Sequence, residues 1–210
     1  MKYPRTPHFH WSKGGTADDI RLVDLKAFSD LDLVVTEKLD GEQTTLTNKA
    51  IHARSEDGYG LPWQTYMKKM WANIKNDIPN NLEICGECVY AVHSIEYKKL
   101  DSIFYVFGVF ENGFALSWKE VEEYAELLGL STVPELNFGR IQDFIEMPIP
   151  NESVFGGECE GYVIRNINSF LISDFKDNIA KCVRKNHVST DKHWRETWKK
   201  QDLTYCKNLL

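Results

Sequence analysis

Residues 33–41 read LVVTEKLDG, a short apolar run that passes into a lysine and a polar turn. The β-branched and apolar residues from Leu33 to Thr36 favour a strand. Lys38 follows at the end of that strand, and Asp40 and Gly41 come directly after it. The sequence therefore predicts a strand that delivers Lys38 to a strand-to-turn junction.

Further strands are predicted on the C-terminal side of this junction. Two strand-like runs, residues 44–47 and 51–55, are separated by a polar turn and predict a hairpin. Strand-like runs return at residues 82–92 and 104–110, and Asn112-Gly113 after the second is a strong hairpin turn. Later strands are predicted at residues 161–165, 170–173 and 179–183.

Helical patterns lie between these strands. From Pro62, apolar residues recur at three- and four-residue spacing and predict a helix with one buried face, formed by Trp63, Tyr66, Met67, Met70, Trp71 and Ile74. Ser117 and Glu120 form a capping box for a helix that ends at Gly129. A short helix is expected at 141–145, and a final helix contains Trp194 and Trp198. Strands joined mostly by hairpins, with helices interspersed, predict an α+β fold with antiparallel sheets.

Length and composition predict one globular domain over residues 1–210. The chain has 42% hydrophobic and 12% aromatic residues, without a low-complexity tract or a linker. It lacks an apolar run of about 20 residues and an N-terminal apolar core, so we expect a soluble, cytoplasmic protein without a membrane partner. The five cysteines are expected to be reduced thiols. Cys85 and Cys88 could be half a zinc site, but strand alternation would place their thiols on opposite faces, which favours a structural role.

The charge is unevenly distributed. The net charge of −6 argues against nucleic-acid binding through bulk charge alone. Residues 176–200, however, carry eight Lys/Arg against three Asp/Glu, whereas residues 111–160 carry eleven acids against two bases. A solvated basic tail is one interpretation of the first segment, and a contact surface for phosphates is the other.

Five short stretches in fixed order resemble the motifs of the covalent nucleotidyltransferase superfamily of ligases and capping enzymes. They are Lys38-Leu39-Asp40-Gly41, Cys85-Gly86-Glu87 followed by Tyr90 and His93, Phe104-Tyr105-Val106-Phe107-Gly108, Glu160-Gly161-Tyr162-Val163-Ile164-Arg165, and Ala180-Lys181-Cys182-Val183-Arg184-Lys185. The match is most similar to ATP-dependent RNA ligases, because Arg54-Ser55 follows Lys38 at the interval typical of them. The run Tyr3–His8 and the late His187 and His193-Trp194 also resemble a bacterial and phage subgroup.

This resemblance implies an adenylyltransferase core, ATP-grasp-like, of antiparallel sheets with flanking helices. It also implies site residues. Lys38 would form the bond to AMP, Lys181 would touch the α-phosphate of ATP, and Glu160 would hold Mg²⁺ or Mn²⁺. The other implied contacts to ATP are Glu37 at the adenine edge, Asp40, Arg54, Glu87 at the ribose hydroxyls and Phe107 stacked on adenine. The implied contacts to nucleic acid are Arg54, Arg184, Lys185, Lys192 and Arg195.

The chain departs from the family pattern in two places. Many relatives carry a second lysine two positions after the residue matched by Lys181, and here Val183 occupies it. Arg184 or Lys185 would have to substitute. Only 25 residues follow Lys185, too few for an OB module or a separate helical domain, so we expect a minimal form with a basic tail at 186–210 packed on or beside the core.

The chemistry of the lysine is consistent with this resemblance. A lysine amine with a pKa near 10.4 is neutral about once in 2,500 molecules at pH 7, which costs a nucleophile about 4.6 kcal/mol. We therefore expect cationic neighbours, Lys181 and a divalent metal held by Glu160, to lower the pKa of Lys38.

The predicted function is ATP-dependent joining of RNA, or RNA-containing, ends. A 5′-phosphate and a 3′-hydroxyl would be joined by a monomer through a lysyl-AMP and an adenylated 5′-end. Two alternatives stay open. One is an adenylyltransferase that modifies 5′-phosphates or another acceptor without sealing, and the other is a catalytically silent nucleotide- or RNA-binding module.

Overall fold

Two β-sheets with flanking helices make up the computed structural model, which describes residues 3–15, 19–53, 62–185 and 198–206. The strands are β1 (Leu33–Lys38), β2 (Glu42–Leu46), β3 (Ile51–Ala53), β4 (Leu82–Cys88), β5 (Phe104–Glu111), β6 (Phe114–Ala115), β7 (Ser131–Thr132), β8 (Glu135–Gly139), β9 (Gly161–Asn166), β10 (Phe170–Leu171) and β11 (Ile179–Val183). The helices are α1 (Thr65–Ile74), α2 (Trp118–Leu127), α3 (Ile141–Phe144) and α4 (Phe175–Asn178). This architecture confirms the predicted α+β fold.

The four-stranded sheet carries β1 in its interior. Its strand order is β11-β9-β1-β8, and every neighbouring pair is antiparallel. Leu33 and Val35 belong to one apolar cluster, together with Tyr162 and Ile164, while Val34 belongs to the main cluster on the other face. Both faces of β1 are thus buried, which explains why residues 33–35 are apolar without interruption.

The second sheet is larger and supplies the opposite wall of the site described below. Its order is β10-β6-β5-β4-β2-β3, and β7 pairs with β5 in parallel. The predicted hairpins are confirmed: β2 pairs with β3, and β5 turns into β6 through Asn112 and Gly113. These two residues have φ of 49° and 86°, the positive values that a tight hairpin turn of this type requires.

The two longer helices confirm their sequence signals. In α1, Met67 is fully buried, and Tyr66, Trp71 and Ile74 pack against the main cluster. At the start of α2, the Ser117 hydroxyl accepts from the backbone N–H of Glu120, and the Glu120 carboxylate accepts from the backbone N–H of Ser117. The predicted capping box is therefore present.

Four elements differ from the sequence-based expectation. Neither β7 nor β8 was predicted, because they are short and their pairing with β5 and β1 is a long-range property. The strand expected at 170–173 ends at Leu171, and a 3₁₀ turn at Ile172–Asp174 leads into α4. Of the expected final helix, Trp194 lies outside the described residues, and Trp198 is not helical but packs against the main cluster.

The cysteines have the buried character expected of structural thiols. All five are free, and Cys85 and Cys88 are buried in different apolar clusters, so their predicted separation onto opposite faces is confirmed. Among the described residues, no helix is long and apolar enough to cross a membrane.

Gly161 is required because two strands approach closely at its α-carbon. A Cβ at residue 161 would lie 2.1 Å from the Cys182 carbonyl oxygen and 3.0 Å from the α-carbon of Val183, both main-chain atoms of β11. We expect Gly161→Ala to lower the free energy of unfolding by about 1–3 kcal/mol or more in urea titrations. The matched control is Gly108→Ala, whose Cβ would meet only the Phe110 side chain, at 3.3 Å, and no main-chain atom. Equal losses in the two variants would contradict this explanation.

Candidate active site

A cavity of about 390 Å³ lies between the two sheets, and five of the predicted residues line it: Glu37, Lys38, Glu87, Phe107 and Lys181. Three strands of the four-stranded sheet form one wall, with alternate positions contributed by β9 and β11 and the end of the strand by β1. Thr36 on β1 is paired with Val163 on β9, which is paired in turn with Lys181 on β11. The larger sheet contributes Gln43, Glu87 and Phe107 to the opposite wall.

Lys38, which lines this cavity, forms an ion pair with Glu160. Lys38 is paired with Gly161 across β1 and β9, so Glu160 stands just before the start of β9. The distance between Lys38 Nζ and Glu160 Oε2 is 2.7 Å, with 4% of the Glu160 side chain and 25% of the Lys38 side chain exposed. Strand pairing therefore joins two residues that are 122 positions apart in sequence.

The surrounding carboxylates raise the pKa of Lys38. Burial alone would lower its pKa, but the carboxylates of Glu160, Glu87 and Asp40 outweigh burial and hold the pKa of Lys38 above its ordinary value. The residues of the protein thus keep Lys38 as an ammonium group. Additional positive charge next to these carboxylates would lower this pKa, and the expected effect of a divalent metal stays a prediction.

Glu87 supports the turn that follows Lys38. Its carboxylate accepts a hydrogen bond from the backbone N–H of Gly41 at 3.1 Å and lines the cavity. Burial raises the pKa of Glu87 to about 8, although the charge of Lys38 opposes this effect. The predicted ribose contact is compatible with this position, because the carboxyl group lies at the cavity surface.

Asp40 is directed away from the cavity. Its carboxylate accepts from the backbone N–H groups of Ser94 and Ile95 at 2.7 and 2.8 Å, and its own N–H donates to the Tyr97 hydroxyl. The expected contact of Asp40 with ATP has no counterpart in this geometry. The carboxylate instead fastens the turn after Lys38 to the loop at residues 94–97.

Glu37 and Phe107 both line the cavity. The Glu37 carboxylate accepts from the backbone N–H of Val154 at 3.0 Å, and burial raises its pKa against the hydrogen bonds from Ser153 and Val154. Phe107 is half-buried on β5, with its ring at the cavity. Both residues thus lie at the cavity, where Glu37 could contact the adenine edge and Phe107 the adenine face, as predicted from the sequence.

Residues of the last motif, 180–185, lie partly at the cavity and partly in the core. Lys181 lines the cavity, whereas Val183, at the position of the missing second lysine, is a core residue with 1% exposure. Arg184 does not replace that lysine in the cavity, because its guanidinium pairs with Glu158 at 3.1 Å. Lys185 is exposed at the end of the described segment.

Several predicted contacts to nucleic acid cannot be located. Arg54, Lys192 and Arg195 lie outside the described residues, as do His187 and His193, and their roles stay predictions. Of the basic segment beyond them, Lys199 forms a 2.7 Å ion pair with Glu96. Residues 198–203 also pack near Tyr97, where Gln201 accepts from the Tyr97 backbone N–H.

Arg165 and Tyr3 are among the cavity residues that were given no role from the sequence. Arg165 is 3% exposed, and its guanidinium donates to the carbonyls of Leu116 and Phe107 at 2.7 and 3.3 Å, while burial lowers its pKa to about 10. Arg165 follows Val163 by two residues on β9, and this spacing indicates that the two side chains lie on the same face of the sheet. Tyr3, the other residue, precedes every motif, and its position follows only from tertiary packing.

His8 links the first residues of the chain to Lys181 and gives stability a pH dependence. It is 1% exposed, its Nδ1 lies 2.9 Å from the Ser12 hydroxyl, and its Nε2 lies 3.5 Å from Asp19. Burial lowers the pKa of His8 to about 4, the charges of Lys181, Arg21 and Lys38 add to this, and Asp19 opposes it. Between pH 6.5, the ordinary value, and about 4, the unfolded chain therefore binds a proton that the folded chain does not.

We expect the free energy of unfolding to fall by on the order of 3 kcal/mol across this pH window because of His8, and to level off below it. In His8→Gln this part of the slope should disappear. Urea titrations of both proteins between about pH 7.5 and pH 4 measure the difference, and an identical pH slope would show that His8 is not its source.

The comparison with known proteins agrees with this geometry. The family model for RNA ligase matches residues 31–183, which include Lys38, Glu160 and Lys181. The chain belongs to the RNA ligase family. No curated protein sequence matches it significantly.

Solved RNA ligases share the fold at low sequence identity. A mutant of Naegleria gruberi RNA ligase with ATP and Mn has 15% identity and a TM-score of 0.55, over 76% of this chain and 52% of that chain. The same ligase with PPi has 18% identity and a TM-score of 0.54, over 76% of this chain and 51% of that chain. An archaeal ATP-dependent RNA ligase has 14% identity and a TM-score of 0.52, over 87% of this chain and 48% of that chain. This chain thus spans about half the length of these ligases.

Proposed function

We propose that this chain is an ATP-dependent RNA ligase in which Lys38 becomes covalently attached to AMP. The observation that carries the proposal is the pairing of Lys38 with buried Glu160 in a cavity that Lys181 also lines. A volume of about 390 Å³ is within the range of roughly 300–1,000 Å³ typical of pockets for small ligands. Membership of the RNA ligase family and the ATP, Mn and PPi named for the Naegleria ligase support this assignment.

The first chemical step is nucleotidyl transfer to Lys38. After its ammonium group has released a proton to solvent, Nζ forms a bond to the α-phosphorus of ATP. The bond from that phosphorus to its bridging oxygen breaks, and pyrophosphate leaves with the electron pair. Lys181, on the same sheet face, is placed to offset the negative charge that develops on the α-phosphate.

The donor chemistry of the cavity fits a divalent cation. Mg²⁺ is usually held by one or two protein carboxylates together with phosphate oxygens and water, and Glu160 presents such a carboxylate beside Lys38. The described residues contain no group of three or more His, Cys, Asp or Glu suited to a metal, so the phosphates of the nucleotide would complete the coordination. The cation would supply the positive charge that offsets Glu160 and releases Lys38 from its ammonium state.

The acceptor in the second step is the 5′-phosphate of an RNA end. One of its oxygens attacks the phosphorus of lysyl-AMP, the P–N bond breaks, and Lys38 is regenerated. A 3′-hydroxyl then attacks the adenylated phosphate, and AMP leaves. Lys185, together with Arg54, Lys192 and Arg195, is proposed to contact the phosphates of RNA, whereas the ion pair with Glu158 makes Arg184 a weaker contributor.

The test separates the three steps in one experiment. The protein is incubated with α-labelled ATP and Mg²⁺ and then with a panel of RNA and DNA ends, single-stranded and nicked. The proposal predicts labelled protein, transient labelled 5′-ends and sealed RNA. Labelled ends without sealed product would instead select an adenylyltransferase that does not seal, and ATP binding without labelled protein would select a silent module.

A further inference from the structure

The first described residues of the chain, 3–12, extend the four-stranded sheet next to the reactive residues. We call them the leading segment. The backbone N–H of Lys181 donates to the Pro7 carbonyl at 2.9 Å, and the N–H of Phe9 donates to the Lys181 carbonyl at 2.9 Å. The segment therefore binds both the N–H and the carbonyl group of Lys181. None of the roles discussed so far uses the side chains at its start.

Tyr3 extends from this segment into the wall of the cavity. Its ring centroid lies 5.1 Å from that of Phe107, 5.7 Å from that of Phe110 and 5.3 Å from that of Phe175, and the ring planes are near perpendicular in each pair. Such edge contacts contribute about 0.5–1.5 kcal/mol each beyond the burial of area. Because Phe107 and Tyr3 both line the cavity, the contact between them fixes a surface on which a ligand can pack.

The polar groups next to Tyr3 are hydrogen-bonded and do not place an unpaired charge on this surface. The Tyr3 hydroxyl is hydrogen-bonded to the side chain of Thr6, and burial keeps the phenol neutral by raising its pKa. The nearby Arg165 guanidinium already donates to the carbonyls of Phe107 and Leu116. Val163 and Ile179 complete this end of the cavity with aliphatic groups. The result is an aromatic and aliphatic slot, which suits a planar base rather than a phosphate.

We propose that Tyr3 is a positioning residue of the nucleotide site, which holds Phe107 against the base of ATP and limits the size of the base that enters. This inference rests on the proposed function, since it assigns the base to the Phe107 end of the cavity. It makes Tyr3 part of the binding site, in addition to the pairing of the leading segment with β11. The ring of residue 3, and not its hydroxyl, is the part that acts on Phe107.

The test compares Tyr3→Ala and Tyr3→Phe in the rate of AMP adduct formation. Tyr3→Ala should raise KM for ATP about five- to tenfold, because the lost contact acts on binding, and leave kcat within about threefold. Tyr3→Phe should restore KM to within about twofold of the wild-type value. In Tyr3→Ala, the KM of an ATP analogue with a bulky substituent at N6 or C2 should fall relative to the KM of ATP, because removing the Tyr3 ring widens the slot.

The control variant is Trp11→Ala, which loosens the same segment elsewhere. Trp11 stacks on Phe9 at 4.4 Å and packs on the cluster behind the four-stranded sheet, away from the cavity. It should lower the melting temperature but leave KM for ATP within about twofold. A KM shift in Trp11→Ala as large as that in Tyr3→Ala, or an unchanged KM in Tyr3→Ala, would overturn the inference.

A calorimetric Kd for ATP separates this inference from the proposed function. If the wild-type protein forms no adduct but binds ATP, the function is refuted while the Kd ratio of Tyr3→Ala to wild type still decides the role of Tyr3. A higher Kd for ATP in Tyr3→Ala, together with a Kd near the wild-type value in Tyr3→Phe, would support the role of Tyr3. Equal Kd values, or no ATP binding by the wild type, would overturn it.

Discussion

Lys38→Ala is expected to form no protein–AMP adduct, and Lys38→Arg should fail equally. The arginine variant keeps the positive charge that pairs with Glu160 at 2.7 Å, but a guanidinium is not deprotonated near neutral pH and cannot attack phosphorus. Both variants should also fail to join RNA from ATP. The measurement is the transfer of label from α-labelled ATP to protein over time.

The matched control is Lys119→Ala, which removes an exposed lysine that pairs with Glu123 on α2. It should form adduct at the wild-type rate. Retained adduct formation in Lys38→Ala would mean that another group is the nucleophile. A Lys38→Ala protein supplied with pre-adenylated RNA should still seal ends, because that step no longer needs the lysine adduct.

Glu160→Ala and Lys181→Ala are each expected to slow adduct formation by at least about a hundredfold. Removing one preorganised charged or hydrogen-bonding group from a transition state of this kind typically costs about 2.7–4 kcal/mol. Glu160 acts through its carboxylate beside Lys38, and Lys181 acts from the neighbouring part of the same sheet face. The loss should appear in the rate at saturating ATP and Mg²⁺, and not only in KM.

Glu158→Ala is the matched carboxylate control. Glu158 is two residues from Glu160, but it is exposed and pairs with Arg184 outside the cavity. We expect an unchanged rate of adduct formation in that variant. Thermal unfolding of all variants shows whether each protein is folded, and rates near wild type in folded Glu160→Ala or Lys181→Ala would contradict their assignment.

The sequence was most informative where local pattern and chemistry coincide. The apolar run before Lys38, the capping box at Ser117 and the Asn112-Gly113 turn each depend on a few adjacent residues, and each is found as predicted. The edge strand β8 was missed because it is short and largely exposed, and its pairing with β1 joins segments about a hundred residues apart. No local periodicity encodes such a contact.

Within the site, the sequence predicted which residues meet but not the full set of carboxylates around Lys38. Strand pairing accounts for Lys38 and Lys181 lining one cavity and for Glu160 lying against Lys38. The charges of Glu87 and Asp40, which also raise the pKa of Lys38, were not expected, and the lowering of that pKa by a metal cation stays a prediction. A motif also does not specify side-chain direction, so Asp40 turns to the loop at 94–97 while Tyr3, which lies outside every motif, enters the cavity.

The site of AMP attachment tests the central claim most directly. Wild-type protein incubated with ATP and Mg²⁺ is digested, and the modified peptide is sequenced by mass spectrometry under neutral or mildly basic conditions that preserve a phosphoramidate. The account predicts a mass increment of one AMP on Lys38 and on no other residue. AMP on Lys181 or elsewhere, or an unmodified chain that nevertheless joins RNA with ATP, would contradict it.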